Sequence, residues 1–213
     1  MTHRNRPSRR AVLAAPLLAV AAGRASAQNA QMGTVTRLAG QPTLVSGNTP
    51  AVATVGMVVR EGDRVVTGAG GRLEITATDG STITVGEQTT VVITRFLAPG
   101  GGRRGNGLLD LLEGILRIYL PNSWDRFDVT TGTAVASVRS TEWVVDATAA
   151  TTGVFVIDGR VQVSGQPRTR AILEGVSVTP GFGTDVAANG QPIAPRRWGQ
   201  PRIDAALARL NLG

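Results

Sequence analysis

From Gly33 to about Val186 the chain consists of brief segments rich in Val, Ile and Thr, cut at short intervals by Gly, Asp, Asn and Pro. Residues 72–76 (RLEIT), 81–85 (STITV), 133–138 and 152–157 alternate polar with apolar side chains. Successive side chains of a strand point to opposite faces, so this period of two in branched residues predicts half-buried strands. No window in the span carries a capped apolar stripe at helical spacing. The expected fold class is therefore all-β, made of many short strands.

An acidic residue followed by glycine recurs between strand-like runs, at Glu61-Gly62, Asp79-Gly80, Glu113-Gly114, Asp158-Gly159 and Glu174-Gly175. Glycine reaches positive φ without a steric penalty and Asp tolerates it, so these pairs predict tight turns. Calcium loops gather several oxygen ligands within about a dozen residues, whereas these carboxylates occur singly. Residues 98–107 (APGGGRRGNG) are too rich in glycine for a packed element and predict an exposed loop inside the domain, with Arg103 and Arg104 at its tip.

Composition changes after Val186. Residues 187–201 form a Pro- and Gly-bearing connector that includes Arg196, Arg197 and Trp198. Ile203, Leu207 and Leu210 then fall at i, i+4 and i+7, which predicts a short amphipathic helix opening near Pro201. So short a helix is marginal alone and has to pack on something, and an edge or end of the β domain is the expected place.

The first 27 residues have the features of an export leader. Arg4, Arg6, Arg9 and Arg10 precede the apolar run of residues 11–22, and Ala25-Ser26-Ala27 fits a small-x-small cleavage site. Twelve apolar residues rise about 18 Å as a helix against roughly 30 Å of hydrocarbon, too short for a good span. Arg9-Arg10 followed by Ala11-Val12-Leu13 is similar to the twin-arginine export motif, although Val12 stands where an aromatic is usual and Ala14 where lysine is usual. The expected organisation is a cleaved leader (1–27), a β domain (28–186) and a connector with C-terminal helix (187–213), with the processed protein in the periplasm or otherwise exported. Five of the +7 formal charges belong to leader arginines, which leaves +2 for the rest. Near-neutral charge gives no broad steering towards phosphate and argues against nucleic acid as partner.

The single histidine, His3, lies in the leader and the chain has no cysteine. Outside the leader there is thus no His-based acid–base pair, no Ser-His or Cys-His nucleophile, and none of the common zinc ligand sets. Gly100-Gly101-Gly102 lacks the Lys-Ser/Thr ending of a phosphate loop. What remains for catalysis is a carboxylate pair, as in glycoside hydrolysis, drawn from Asp125, Asp128, Glu142 and Asp146 around Trp124 and Trp143. Against it, Glu142 and Trp143 are adjacent and must face opposite sides of a strand, with Trp143 and Phe127 inward. Trp124 and Trp198 are candidate surface contacts for a cell-wall polymer.

Two stretches resemble the FecR domain, an extracytoplasmic module of bacterial iron-transport regulators and other exported proteins. The first holds Gly62-Asp63, Thr67-Gly68, residues 73–75 (LEI) and Asp79-Gly80-Ser81. The second runs through residues 127–134 (FDVTTGTA), 138–144 (VRSTEWV), 154–161 and 173–175, with Arg139, Thr141, Asp158 and Gly159 at its turns. It departs from the pattern at Gly132, where Pro is usual, and at Ser140, where Gly is usual. The resemblance implies a twisted β-solenoid-like fold and structural roles for these turn residues but hands over no activity; together with the missing His and Cys it leads to the expectation of no cofactor and of a non-catalytic binding or scaffold role towards an envelope protein. The iron-transport sensors also carry a cytoplasmic anti-sigma domain, a membrane helix and a further periplasmic subdomain. None is recognisable in this sequence, so sigma regulation is not part of the expectation.

Overall fold

The computed structural model describes Met1 and residues 30–121, 124–165, 175–188 and 190–213. The leader residues Arg9, Arg10, Ala25 and Ala27, and the acid of Glu174-Gly175, lie outside the described residues. The first half of the chain runs through β1 (Gln31–Ala39), β2 (Thr43–Ser46), β3 (Thr49–Val52), β4 (Val58–Arg60), β5 (Arg64–Val66), β6 (Arg72–Ala77), β7 (Thr82–Val85) and β8 (Thr90–Leu97). A long strand, β9 (Gly105–Tyr119), stands in the middle. There follow β10 (Trp124–Thr130), β11 (Ala134–Val138), β12 (Thr141–Ala147), β13 (Thr151–Gly159), β14 (Val161–Gly165), β15 (Val176–Val178), β16 (Phe182–Ala187), β17 (Arg196–Arg197) and one helix, α1 (Gln200–Ala208).

Strand pairing sorts these into two ladders that share β9. Sheet A runs β4-β1-β6-β7-β9-β12-β13-β16-β17. Sheet B runs β3-β2-β5-β8-β9-β10-β11-β14-β15. The predicted alternation is what packs them. In β6 the pattern RLEITA buries Leu73, Ile75 and Ala77 and leaves Arg72, Glu74 and Thr76 half-buried on the far side. Inward residues of both sheets, among them Ile83, Val91, Leu109, Leu116, Phe127, Trp143 and Val163, merge into one core, so the sheets face each other as two layers.

β9 passes from one layer to the other. Residues 106–113 pair with β8 in sheet B, and residues 114–119 pair with β12 in sheet A. The bend falls at Gly114, with φ +95. Thr89 closes the gap in the ladder there, its Oγ1 accepting from Ile115 N at 2.9 Å. After β9 the chain returns to sheet B and lays β10 parallel to the start of β9, the sole parallel pairing among the described strands. The all-β class expected from sequence holds, whereas that one parallel passage does not establish the solenoid that the family resemblance implies. Elsewhere antiparallel pairs and hairpins build the layers.

The acid–glycine turns divide into two kinds. Asp79-Gly80 is a hairpin corner between β6 and β7, with φ +85 at Gly80 and the Asp79 carboxylate accepting from Ser81 N (3.1 Å) and Ser81 Oγ (2.7 Å). Glu61-Gly62, Glu113-Gly114 and Asp158-Gly159 instead mark places where the chain changes sheet, with φ of +90, +95 and +81 at the glycines. Asp63 is buried and holds the first crossing, accepting from Arg60 N at 2.8 Å. Residues 98–104 are the expected loop. Gly105 and Gly107 are not part of it: both are buried in β9, where a Cβ would meet Trp124 Cε3 at 2.5 Å and Phe127 Cε2 at 2.6 Å. Glycine there makes room for rings.

The C-terminal segment lies across the outer face of sheet A rather than on an edge. Trp198, Ala206 and Leu210 are buried against Ile115, Val144 and Phe155, with Ile203 and Leu207 alongside. Trp198 stacks on Phe155 with ring centroids 5.3 Å apart. Two acids of the sheet fix the strap: Asp146 accepts twice from Arg209 Nη1 at 2.9 Å, and Asp185 accepts from Arg202 Nη1 at 2.9 Å.

Candidate functional site

Outer faces are where this fold can meet a ligand, and the residues singled out by sequence distribute over both. The four carboxylates grouped near Trp124 and Trp143 separate. Asp125 and Asp128 stand on β10 in sheet B, whereas Glu142 and Asp146 stand on β12 in sheet A, outward, alternating with inward Trp143 and Val145. Arg126 Nε donates to Asp128 Oδ2 at 2.6 Å, Arg117 Nε to Glu142 Oε1 at 2.8 Å, and Arg209 to Asp146. The glycosidase geometry needs two carboxyls sharing a cleft roughly 5 to 9 Å apart, and three of these four acids, Asp128, Glu142 and Asp146, are already answered by arginine. Among the described residues no group of three or more His, Cys, Asp or Glu could hold a metal ion.

The candidate surface tryptophans are both buried, which corrects the sequence reading. Trp124 is 0% exposed, wedged edge-on between Phe96 and Phe127 at centroid distances of 5.2 and 5.0 Å. Trp198 is 7% exposed and lies where Gly153 of β13 and Gly183 of β16 leave the sheet surface bare. Neither ring offers a face for a sugar.

The turn residues named from the family pattern serve backbone needs. Thr67 is buried, its hydroxyl donating to Gly86 O at 2.6 Å and accepting from Thr89 N at 2.8 Å. Gly68 O accepts from Gln88 N at 3.2 Å. Thr141 is buried and donates to Arg160 O at 3.1 Å. Ser140 stands in the place of the usual glycine without strain, because its φ is not positive; positive φ falls on Gly159 beside it.

Arg139 is the exception. The chain leaves sheet B for sheet A between β11 and β12, and comes back between β13 and β14; Arg139 sits at the first crossing and Arg160 at the second. The two crossings lie side by side, since a Cβ on Gly159 would meet Ser140 O at 2.7 Å. The register of β11 with β14 pairs Ser137 with Gln162 at its last position, and Arg139 and Arg160 lie just beyond the adjoining ends of these two strands. With Arg126, Val138 and Asp125 they line a depression of about 490 Å³ on the outer face of sheet B. Arg139 and Arg160 are exposed, and neither has an ion pair or side-chain hydrogen bond among the described residues.

Sheet A carries a comparable groove beside α1, lined by Arg37, Glu74, Arg117 and Asp204, with volumes of about 390 and 360 Å³ in its two parts. Its charges are satisfied internally: Arg117 by Glu142, and Arg37 by the carbonyl of Gly213 at 2.6 Å. The arginine depression of sheet B is therefore the candidate site. Sequence reasoning marked Arg139 as a turn residue and missed Arg126 and Arg160. Their convergence depends on the long-range pairing of β11 with β14, for which the chain gives no local signal.

Residues 63–162 match the family model for FecR protein. In structure the chain is similar to two crystal structures of a candidate anti-sigma factor from Parabacteroides distasonis ATCC 8503, with TM-scores of 0.52 and 0.53 at 19% identity. Each likeness covers 68% of this chain and 64% or 63% of that one, so the chain spans less than two thirds of the length of these relatives. No curated protein matches it in sequence at a significant level. The ordered turns and crossings described above fall largely inside the matched span, and residues 63–162 of this chain form a FecR-family domain.

Proposed function

We propose that this protein is an exported, non-catalytic binding or scaffold module that works in the periplasm or cell envelope through a protein partner. The observation that carries the reading is the FecR match over residues 63–162. The fold likeness to a candidate anti-sigma factor supports a regulatory or binding role in the same sense. The leader with Arg9-Arg10 and a cleavage site at Ala25–Ala27 supports export through the twin-arginine route as an already folded body. Among the described residues no helix is long and apolar enough to cross a membrane. A polysaccharide ligand loses its main support with Trp124 and Trp198 inside.

The test is fractionation of expressing cells followed by crosslinking in the envelope. The expected outcome is a leader-free protein in the periplasmic or envelope fraction, crosslinked to one reproducible protein, and no turnover on hydrolase substrate panels. Retention in the cytosol with the leader attached would defeat the export reading. Turnover abolished by changing one carboxylate would defeat the non-enzyme reading.

A further inference from the structure

We propose that the depression at the twin crossings of sheet B binds carboxylates of an acidic peptide segment of the partner protein, with Arg139 and Arg160 as anchors. The inference rests on the protein-partner reading above and adds the partner's chemistry. Like charges gathered in one depression repel each other. Arg139 and Arg160 line one depression, and neither has an ion pair among the described residues. An anionic occupant turns the repulsion into attraction.

Arg126 adds a third guanidinium that is already oriented. Its Nε is held by Asp128, which leaves its terminal amino groups without a partner among the described residues. Asp125 in the lining and Asp128 paired to Arg126 offset two of the three charges in net terms, so the surplus suits a ligand of modest negative charge rather than a polyanion. Guanidinium forks match planar two-oxygen groups, which favours carboxylates. Ser137 and Gln162, paired across the strands beside the arginines, offer a hydroxyl and an amide to a peptide backbone. No aromatic ring lines the depression for a sugar to stack on.

Binding of a fluorescent Glu-rich dodecapeptide to the purified protein, its Gln-matched counterpart and a galacturonate oligosaccharide tests this by anisotropy at two salt concentrations. The Glu peptide is expected to bind about tenfold or more tighter than the Gln peptide, with affinity falling as salt rises. The Arg139→Gln/Arg160→Gln protein loses that preference, and the Arg103→Gln/Arg104→Gln protein, altered at the exposed loop tip, keeps it. Circular dichroism of the first variant, expected unchanged, separates lost binding from lost fold. A variant that misfolds is replaced by Arg139→Lys/Arg160→Lys, which keeps the charge, loses the fork and is expected to bind more weakly. Equal binding of the two peptides, binding of the galacturonate in place of the peptide, or equal loss in the Arg103/Arg104 variant overturns the proposal. If the envelope crosslink persists unchanged in the Arg139→Gln/Arg160→Gln protein, the partner reading stands and this site falls.

Discussion

At the scale of single residues, several glycines matter for what sits where a side chain would be. Gly183 on β16 lies under the Trp198 indole: a Cβ would meet Trp198 Cε2 at 2.6 Å and Val154 O at 2.7 Å. Backbone and a ring stacked on Phe155 cannot both yield, so Gly183→Ala is expected to cost about 1–3 kcal/mol, typical of an overpacked site. Gly132 has open space around it and no positive φ, so Gly132→Ala is expected to stay within about 0.5 kcal/mol. Urea unfolding of the two variants checks the contrast; equal effects would mean that Trp198 is not seated between Gly153 and Gly183. None of this was legible in the sequence. Gly183 and Gly153 come together only through the β13–β16 register, which opposes Gly153 to Asp185 and Phe155 to Gly183. A lone Trp in a Pro- and Gly-bearing connector therefore reads as exposed until the sheet beneath it is known.

At the scale of elements, the C-terminal strap combines a small apolar contact with charge. Its helix was legible, because Ile203 and Leu207 fall one turn apart and Pro201 suits an opening turn. Its resting place was not, since an apolar stripe says that a helix packs without saying on what. The strap is tied to sheet A by Asp185, whose carboxyl is held below the ordinary aspartate value of 3.8 by the Arg202 hydrogen bond first, with Arg202 and Arg196 charges adding to it against the opposing effect of burial. Arg202 also lies over the Trp198 ring at 3.4 Å, so ion pair and stack share one cation. A carboxyl with a depressed folded-state pKa adds stability at pH values above its unfolded value, and loses it as pH falls through the folded one. The strap is thus expected to hold undiminished at neutral pH and to loosen below about pH 3.8. Asp185→Asn is expected to weaken it at pH 7 by about 1 kcal/mol or less, given the partial exposure of the pair. Amide exchange across α1, measured from pH 7 to pH 3, checks this. Parallel pH profiles for wild type and Asp185→Asn would show that Asp185 does not fasten the strap.

At the scale of the whole molecule, β9 decides whether the protein is one body or two. The all-β class was legible because burial follows the period-two pattern strand by strand, as in β6. The layering was less so, because a hairpin and a change of sheet both call for positive φ at glycine, and Glu113-Gly114 reads the same either way. Once placed, Gly114 makes β9 a shared spine: β8 and β10 pair with its first part, β7 and β12 with its second, and one core runs from Met32 to Val186. The exposed loop of residues 98–104 is then a covalent link that the packing does not require. Opening a loop costs little beyond closure entropy, which grows slowly with length. A protease site inserted between Gly101 and Gly102, where added atoms meet open space, should therefore be cut while the two fragments stay together, because the pairing of residues 90–97 with β9 is untouched. The cut protein is expected to elute from size exclusion at the uncut volume, to keep its β-type circular dichroism, and to separate into two chains only in denaturant. Fragments that part in native buffer would mean that the halves fold as independent units, and that β9 joins two domains instead of holding one together.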